Sequence, residues 1–98
     1  MDKTVEAIKK IASGYPSIKQ VVLFGSRARR DCYPTSDYDI CVVGASLNVF
    51  AQFRLDIDEI PTVYKVDIAR YEDIESELFV EEIKRDGVII YEGTRSPA

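Results

Sequence analysis

Histidine and tryptophan are absent from the 98-residue chain, and its only cysteines are Cys32 and Cys41. Without histidine, we do not expect zinc sites of the Cys/His type, histidine general bases or histidine-containing triads. A Cys32–Cys41 disulfide is open from the sequence, but the usual burial of free cysteine predicts that Cys41 is a small buried strand residue. Any catalysis must therefore rest on carboxylates, arginine and serine, with a metal ion as a further candidate.

Long apolar segments are absent as well. No run approaches the length of a transmembrane helix, and the N-terminal stretch MDKTVEAIKK has no signal-peptide core. We therefore expect a cytoplasmic protein without membrane contact. The content of 46% hydrophobic and 31% charged residues is typical of a soluble globular protein. The length predicts a single domain over residues 1–92, followed by a flexible C-terminal tail over 93–98.

The net charge of −4 is spread unevenly along the chain. Residues 1–30 carry seven Lys or Arg against two Asp or Glu, whereas residues 31–98 carry six against fifteen. An acidic total argues against direct nucleic-acid binding. The local cluster of Arg27, Arg29 and Arg30 suits a small anion such as a phosphate chain, although a solvated helix face would have the same composition.

Helix-like and strand-like segments alternate. Apolar residues recur at helical spacing over 5–12, 50–60 and 74–83, a short helix is predicted in RARRD at 27–31, and strands are predicted over 18–24, 37–43, 62–69 and 88–91. Ile74, Leu78 and Ile83 define the last helix, which Gly87 caps. This order predicts an α/β (α+β) fold, a mixed sheet of about four strands flanked by helices. The link between the first two strands leaves little room for a crossover helix, which favours an antiparallel pair.

Two acidic residues, Asp37 and Asp39, occupy alternate positions of the second predicted strand. Side chains alternate along a strand, so both carboxylates point to the same face, with Cα atoms about 6.6 Å apart. Two carboxylates on one face repel each other, and a divalent cation with its preference for oxygen ligands would relieve that repulsion. A plain alternative is that both are solvated at the end of the strand.

Asp67 lies between apolar residues in the third predicted strand, where solubility does not require it. On an adjacent strand it could join Asp37 and Asp39, and three such carboxylates can hold one or two Mg²⁺ ions for phosphoryl or nucleotidyl transfer. The structural alternative is a strand-end residue or an ion-pair partner of Lys65 or Arg70.

Gly25 and Ser26 stand between a predicted strand and a predicted helix. Glycine allows the backbone to approach a phosphate, and a helix N-terminus presents free N–H groups to an anion. The Ser26 hydroxyl can bind a phosphate oxygen, or it can merely cap the helix. The Gly-Lys-Ser/Thr of a Walker loop is absent.

The stretch LFGSRARRDCYPTSDYDICV resembles the signature of the DNA polymerase beta-like nucleotidyltransferases, which is Gly-Ser, ten residues and then Asp-x-Asp. It is similar in particular to the minimal nucleotidyltransferases of bacteria and archaea, and the KVDIA strand, the acidic helix and the closing GVIIYEG continue the similarity. Two positions depart from the family pattern. Arg30 stands where glycine is common, and Tyr38 replaces a more usual aliphatic residue, but neither change removes a metal ligand.

The resemblance implies a two-metal site. Asp37 and Asp39 would bind Mg²⁺, Asp67 would be the third carboxylate and help to activate the attacking hydroxyl, and Gly25 and Ser26, with Arg29 as a helper, would hold the nucleoside triphosphate. It also implies an antitoxin that transfers AMP from ATP to a tyrosine of an all-helical HEPN toxin.

Two alternative functions stay open at the level of sequence. The same domain could bind nucleotide without catalysis and neutralise a helical partner by direct contact. It could also modify a small molecule, although no substrate domain is visible. Because the chain is short for a separate acceptor-binding domain, we expect a partner protein or a homo-oligomer to supply the acceptor.

Overall fold

The computed structural model of the protein describes residues 3–25 and 37–93. In these ranges the helices are α1 (Lys3–Ala12), α2 (Leu47–Asp58) and α3 (Glu77–Asp86), the strands are β1 (Gln20–Phe24), β2 (Tyr38–Val43), β3 (Val66–Arg70) and β4 (Val88–Glu92), and a 3₁₀ turn covers Tyr71–Asp73. The predicted alternation is confirmed for these elements, whereas the helix predicted in RARRD lies outside the described residues. None of the described helices is long and apolar enough to cross a membrane.

The four strands form one mixed sheet with the order β3-β2-β1-β4. Strand β1 is antiparallel to both β2 and β4, as expected from the short link between the first two strands. Strands β2 and β3 are parallel. The crossover between these two strands contains α2, which is the usual way to join parallel neighbours.

The main core lies on one face of the sheet, under α1 and α2. Ile8 of α1, Phe53 of α2 and Ile40 of β2 are fully buried there. Tyr38 and Val42 point to the same face, as the alternation along β2 predicts. Helix α2 begins at the N-cap Ser46, whose hydroxyl accepts a hydrogen bond from the backbone N–H of Val49 at 3.2 Å.

The opposite face of the sheet is covered more thinly, by α3 and the 3₁₀ turn. Ile83 of α3 packs there on Val22 and on the fully buried Cys41, which confirms the prediction for that cysteine. Burial raises the pKa of the Cys41 thiol to about 11, with a further contribution from Glu72. The prediction that Leu78 helps to define the packed stripe of this helix is wrong, because Leu78 is 75% exposed and Phe79 packs against the sheet in its place.

Strand β3 begins later than predicted, at Val66 instead of residue 62. The hydroxyl of Thr62 accepts a hydrogen bond from the backbone N–H of Tyr64 at 3.1 Å. Such a local bond competes with strand pairing and favours a turn. Val63 consequently points into solvent and is 93% exposed.

Polar contacts join the loops that follow β2 and β3. The backbone N–H of Gly44 donates to Oε2 of Glu72 at 2.8 Å, and Nε of Arg70 donates to the carbonyl of Ala45 at 2.7 Å. Arg70 also pairs with Asp73 at 2.7 Å. We call this set of contacts the far-end clasp, because it lies at the C-terminal ends of the two parallel strands.

Tyr15 links the turn after α1 to α2. Its hydroxyl donates to the carboxylate of Asp56, and its ring stands edge-on to Phe53 with centroids 5.9 Å apart. The hydrogen bond to Asp56 raises the pKa of Tyr15 above its ordinary value. The native state therefore retains the phenolic proton longer than the unfolded chain does, so the stabilisation is complete below the ordinary pKa and is lost as pH rises through the native one.

We expect Tyr15→Phe to lower the urea midpoint at neutral pH, because the hydroxyl is lost and the ring is kept. The difference from wild type should shrink above pH of about 10, where the unfolded tyrosine ionises. Urea denaturation followed by circular dichroism at several pH values measures this. Tyr91→Phe is the matched control and should show no such convergence. A Tyr15→Phe deficit that stays constant into alkaline pH would contradict the prediction.

Candidate active site

The structure brings two of the predicted carboxylates together across the parallel strands. Asp39 of β2 and Asp67 of β3 are direct register partners, so their side chains leave the same face of the sheet. Asp37 immediately precedes β2 and is exposed. Because only Tyr38 separates it from Asp39, all three predicted carboxylates occur at the N-terminal ends of β2 and β3.

The pKa of Asp39 reflects the presence of the other two carboxylates. Partial burial raises the pKa of Asp39, and the negative charges of Asp67 and Asp37 raise it further, while Lys65 lowers it. A carboxyl group in such surroundings resists ionisation unless a cation is near.

Lys65 supplies one such cation. Its Nζ lies 3.4 Å from Oδ1 of Asp67, and both side chains are substantially exposed. The ion pair proposed from sequence as the structural alternative for Asp67 is therefore present with Lys65, and not with Arg70, which instead belongs to the far-end clasp. An exposed pair of this kind contributes little to stability, so it does not by itself explain an aspartate at this position.

Gly25 brings the backbone against Asp39. Its φ of +76° lies in the left-handed region that favours glycine. A Cβ atom at this position would stand 2.6 Å from Oδ2 of Asp39. The last residue of β1, Phe24, is the register partner of Asp39, which explains the close approach. The predicted phosphate-binding glycine and a predicted metal ligand are thus neighbours.

Ser26 and Arg29 lie outside the described residues, as do Arg27, Arg30 and Cys32. Their predicted roles in binding a triphosphate therefore stay predictions.

The carboxylates do not converge on one point. Within residues 3–25 and 37–93, no three Asp, Glu or Cys side chains form a group that could hold a metal ion as they stand. Asp39 and Asp67 share a face of the sheet but do not form a three-ligand group with a third acidic or cysteine side chain of these residues.

Sequence reasoning missed a groove beside these carboxylates. A cavity of about 300 Å³ runs between α2 and β3, and its lining includes Arg54, Asp58, Tyr64, Lys65 and Asp67. No local signal identifies Arg54, since helical periodicity marks apolar residues and leaves exposed charged residues undistinguished.

Comparison with known proteins identifies the family of the chain. Residues 6–96 match the family model for polymerase beta nucleotidyltransferases. No curated protein matches. Several solved structures share the fold, and three of them are described below.

A chain from a toxin–antitoxin crystal structure with AMP-PNP has a TM-score of 0.70 at 18% identity, over 95% of this chain and 76% of that one. A predicted nucleotidyltransferase from Sulfolobus solfataricus has a TM-score of 0.57 at 26% identity, over 90% of this chain and 76% of that one. A chain from a complex of tri-AMPylated Shewanella oneidensis HEPN toxin with MNT antitoxin has a TM-score of 0.64 at 17% identity, over 91% of this chain and 70% of that one.

These structural similarities agree with the mixed sheet and its flanking helices. The Gly-Ser and Asp-x-Asp motif of the sequence indicates the same fold. Because the family model covers nearly the whole chain, the protein belongs to the polymerase beta nucleotidyltransferase family.

Proposed function

We propose that this protein is a Mg²⁺-dependent nucleotidyltransferase that moves AMP from ATP to a hydroxyl, specifically a tyrosine of a helical HEPN-type toxin, and so acts as an antitoxin. The observation that carries the proposal is the register of Asp39 opposite Asp67, with the backbone of Gly25 against Asp39. Support comes from one structural neighbour described with AMP-PNP and from another that contains a tri-AMPylated HEPN toxin with MNT antitoxin.

The donor set suits a hard divalent cation. Asp37, Asp39 and Asp67 offer only carboxylate oxygens, which Mg²⁺ prefers. The raised pKa of Asp39 marks a concentration of negative charge that a cation would offset. We assign these three residues as the ligands of two Mg²⁺ ions. When bound, the ions would neutralise the triphosphate and clamp the attacking and leaving oxygens.

The residues of the chain have separate tasks in the transfer. The backbone at Gly25 and the hydroxyl of Ser26 hold the triphosphate, with Arg29 as a further cationic contact. Asp67 accepts the proton of the acceptor hydroxyl. The oxygen of that hydroxyl forms a bond to the α-phosphorus, the bond from the α-phosphorus to the bridging oxygen breaks, and pyrophosphate leaves.

Incubation with labelled ATP and the protein encoded by the adjacent gene tests this function. We expect AMP on a tyrosine of the neighbour, located by mass spectrometry of tryptic peptides. A second copy of this chain is the alternative source of the acceptor, so both proteins are searched for the modification. Absence of label on either protein at every Mg²⁺ and Mn²⁺ concentration would contradict the proposal.

A binding-only antitoxin is the second candidate, and one observation favours it. The carboxylates of the described residues do not converge into a preformed metal site. The double variant Asp37→Asn/Asp39→Asn separates the two candidates, because neutralisation by contact survives it and neutralisation by AMP transfer does not. Survival of cells that co-express the toxin with this variant is the measurement.

A further inference from the structure

The groove between α2 and β3 adjoins the carboxylate that we assign to proton acceptance. It has a volume of about 300 Å³, and Asp67 lies in its wall together with Arg54 and Lys65. That volume is at the lower end of the range for ligand pockets. It suits one side chain with its flanking backbone better than a whole nucleotide. We call this feature the edge groove.

Among the residues that the structure describes, one wall of the edge groove is a sheet edge without a further strand. Strand β3 is terminal in the sheet order, with β2 as its strand neighbour. The N–H of Tyr38 donates to the carbonyl of Lys65 at 2.9 Å, which fixes the side to which each residue of β3 turns its backbone groups. Because these groups alternate along a strand, Val66 and Ile68 direct their N–H and C=O groups away from β2. The outward N–H and C=O groups of such an edge can form hydrogen bonds with another strand.

The charges of the groove favour an acidic occupant. Arg54 is exposed and forms no ion pair with any residue of the described ranges, while Lys65 pairs with Asp67. If Asp67 binds metal ions as proposed above, Lys65 is released. Arg54 and Lys65 would then carry two positive charges against the single negative charge of Asp58, which is the remaining acid of the groove lining.

We propose that the edge groove receives the acceptor as an extended, acidic peptide segment that pairs with β3. The backbone of the segment would bond to Val66 and Ile68, its hydroxyl-bearing side chain would lie beside Asp67, and a neighbouring acidic side chain would face Arg54. Addition of a strand gives affinity through backbone bonds and specificity through alternate side chains. This inference rests on the proposed function, since it concerns the acceptor of the same site.

Binding can be tested without catalysis. The probe is the peptide acetyl-Val-Glu-Tyr-Glu-Val-amide, titrated into the ¹⁵N-labelled full chain in the presence of Mg²⁺ and without ATP. We expect saturable shift changes that are largest at the amides of Val66 and Ile68. Two further copies of the peptide are N-methylated, one at both glutamates and the other at the tyrosine.

One N-methylated copy should bind at least tenfold more weakly than the parent peptide, and the other should bind like it, because alternate N–H groups of an added strand face β3. Equal affinity of both copies and the parent peptide would overturn the proposal. So would shift changes that leave residues 66–68 unaffected.

A charge reversal supplies the second measurement. Arg54→Glu should weaken binding of the probe at least tenfold, whereas Lys10→Glu makes the same charge change at an exposed position of α1 and should leave binding within twofold. Equal loss in both variants, or no loss in Arg54→Glu, would refute the assignment. Because no nucleotide is used, these outcomes are distinct from a failure of AMP transfer.

Discussion

Asp39→Asn should lower AMP transfer about a thousandfold and, without Mg²⁺, raise the stability of the fold. The loss of activity follows because an amide replaces a carboxylate that we propose as a metal ligand, and several kcal/mol of charge stabilisation in the transition state correspond to this factor. The gain in stability follows because a partly buried carboxylate with two like-charged neighbours becomes neutral at almost unchanged size. A substitution that lowers activity and raises stability is expected where like charges are held together to bind a cation.

Thermal unfolding with and without Mg²⁺, together with initial rates of AMP transfer, measures both effects. Mg²⁺ should raise the melting temperature of the wild type and leave that of Asp39→Asn unchanged, because a ligand stabilises only a state that binds it. Asp73→Asn is the control. It removes an ion pair with Arg70 and should lower stability slightly while transfer continues. An Asp39→Asn variant that is active, or less stable than wild type without Mg²⁺, would refute the assignment.

The second large effect concerns two glycines with positive φ. Gly25→Ala places a Cβ against the carboxylate end of Asp39, which can rotate away, so we expect about 1–2 kcal/mol of lost stability and about a hundredfold loss of transfer. Gly44→Ala, at φ +95°, instead meets the carbonyl oxygen of Ser17 at 2.8 Å and the amide nitrogen of Lys19 at 3.1 Å. Because backbone atoms cannot rotate aside, we expect a loss of about 2–3 kcal/mol with near-normal transfer by the folded fraction.

Chemical denaturation and transfer rates at a temperature where both variants are folded separate these cases. The two substitutions add the same methyl group at the same kind of backbone conformation, so each serves as the control for the other. Gly25→Ala should have the greater effect on rate, and Gly44→Ala the greater effect on stability. The reverse order would show that Asp39 does not need its observed position.

The alternation of side chains along β2 was sufficient to predict which residues lie on each face of the strand. Tyr38, Ile40 and Val42 enter the core while Asp39 stays on the other side, because the period of two fixes each side chain once the strand is identified. Asp67 was also identifiable from sequence, as a carboxylate between apolar residues. Its register with Asp39 was not, since strand pairing depends on the crossover through α2.

The errors in predicting elements share a physical origin. The start of β3 depends on the Thr62 hydroxyl, and the exposure of Leu78 depends on which side of α3 meets the sheet. Both are decided by contacts that hydrophobic periodicity does not encode. The edge groove escaped prediction for the same reason, because Arg54 and Lys65 line one cavity only when α2 packs beside β3.

The far-end clasp should make the parallel pair of β2 and β3 more resistant to local unfolding at its C-terminal end than at its N-terminal end. At their C-terminal ends, Glu72 and Arg70 tie the following loops together with charged hydrogen bonds. At the other end, the contacts include the ladder that starts at Tyr38, the edge-to-face ring pair of Tyr38 and Tyr64, and a set of carboxylates that repel one another. Amide protons should therefore exchange first near Asp39 and last near Val42. The strands should open most readily at the end that carries the proposed cation-binding carboxylates.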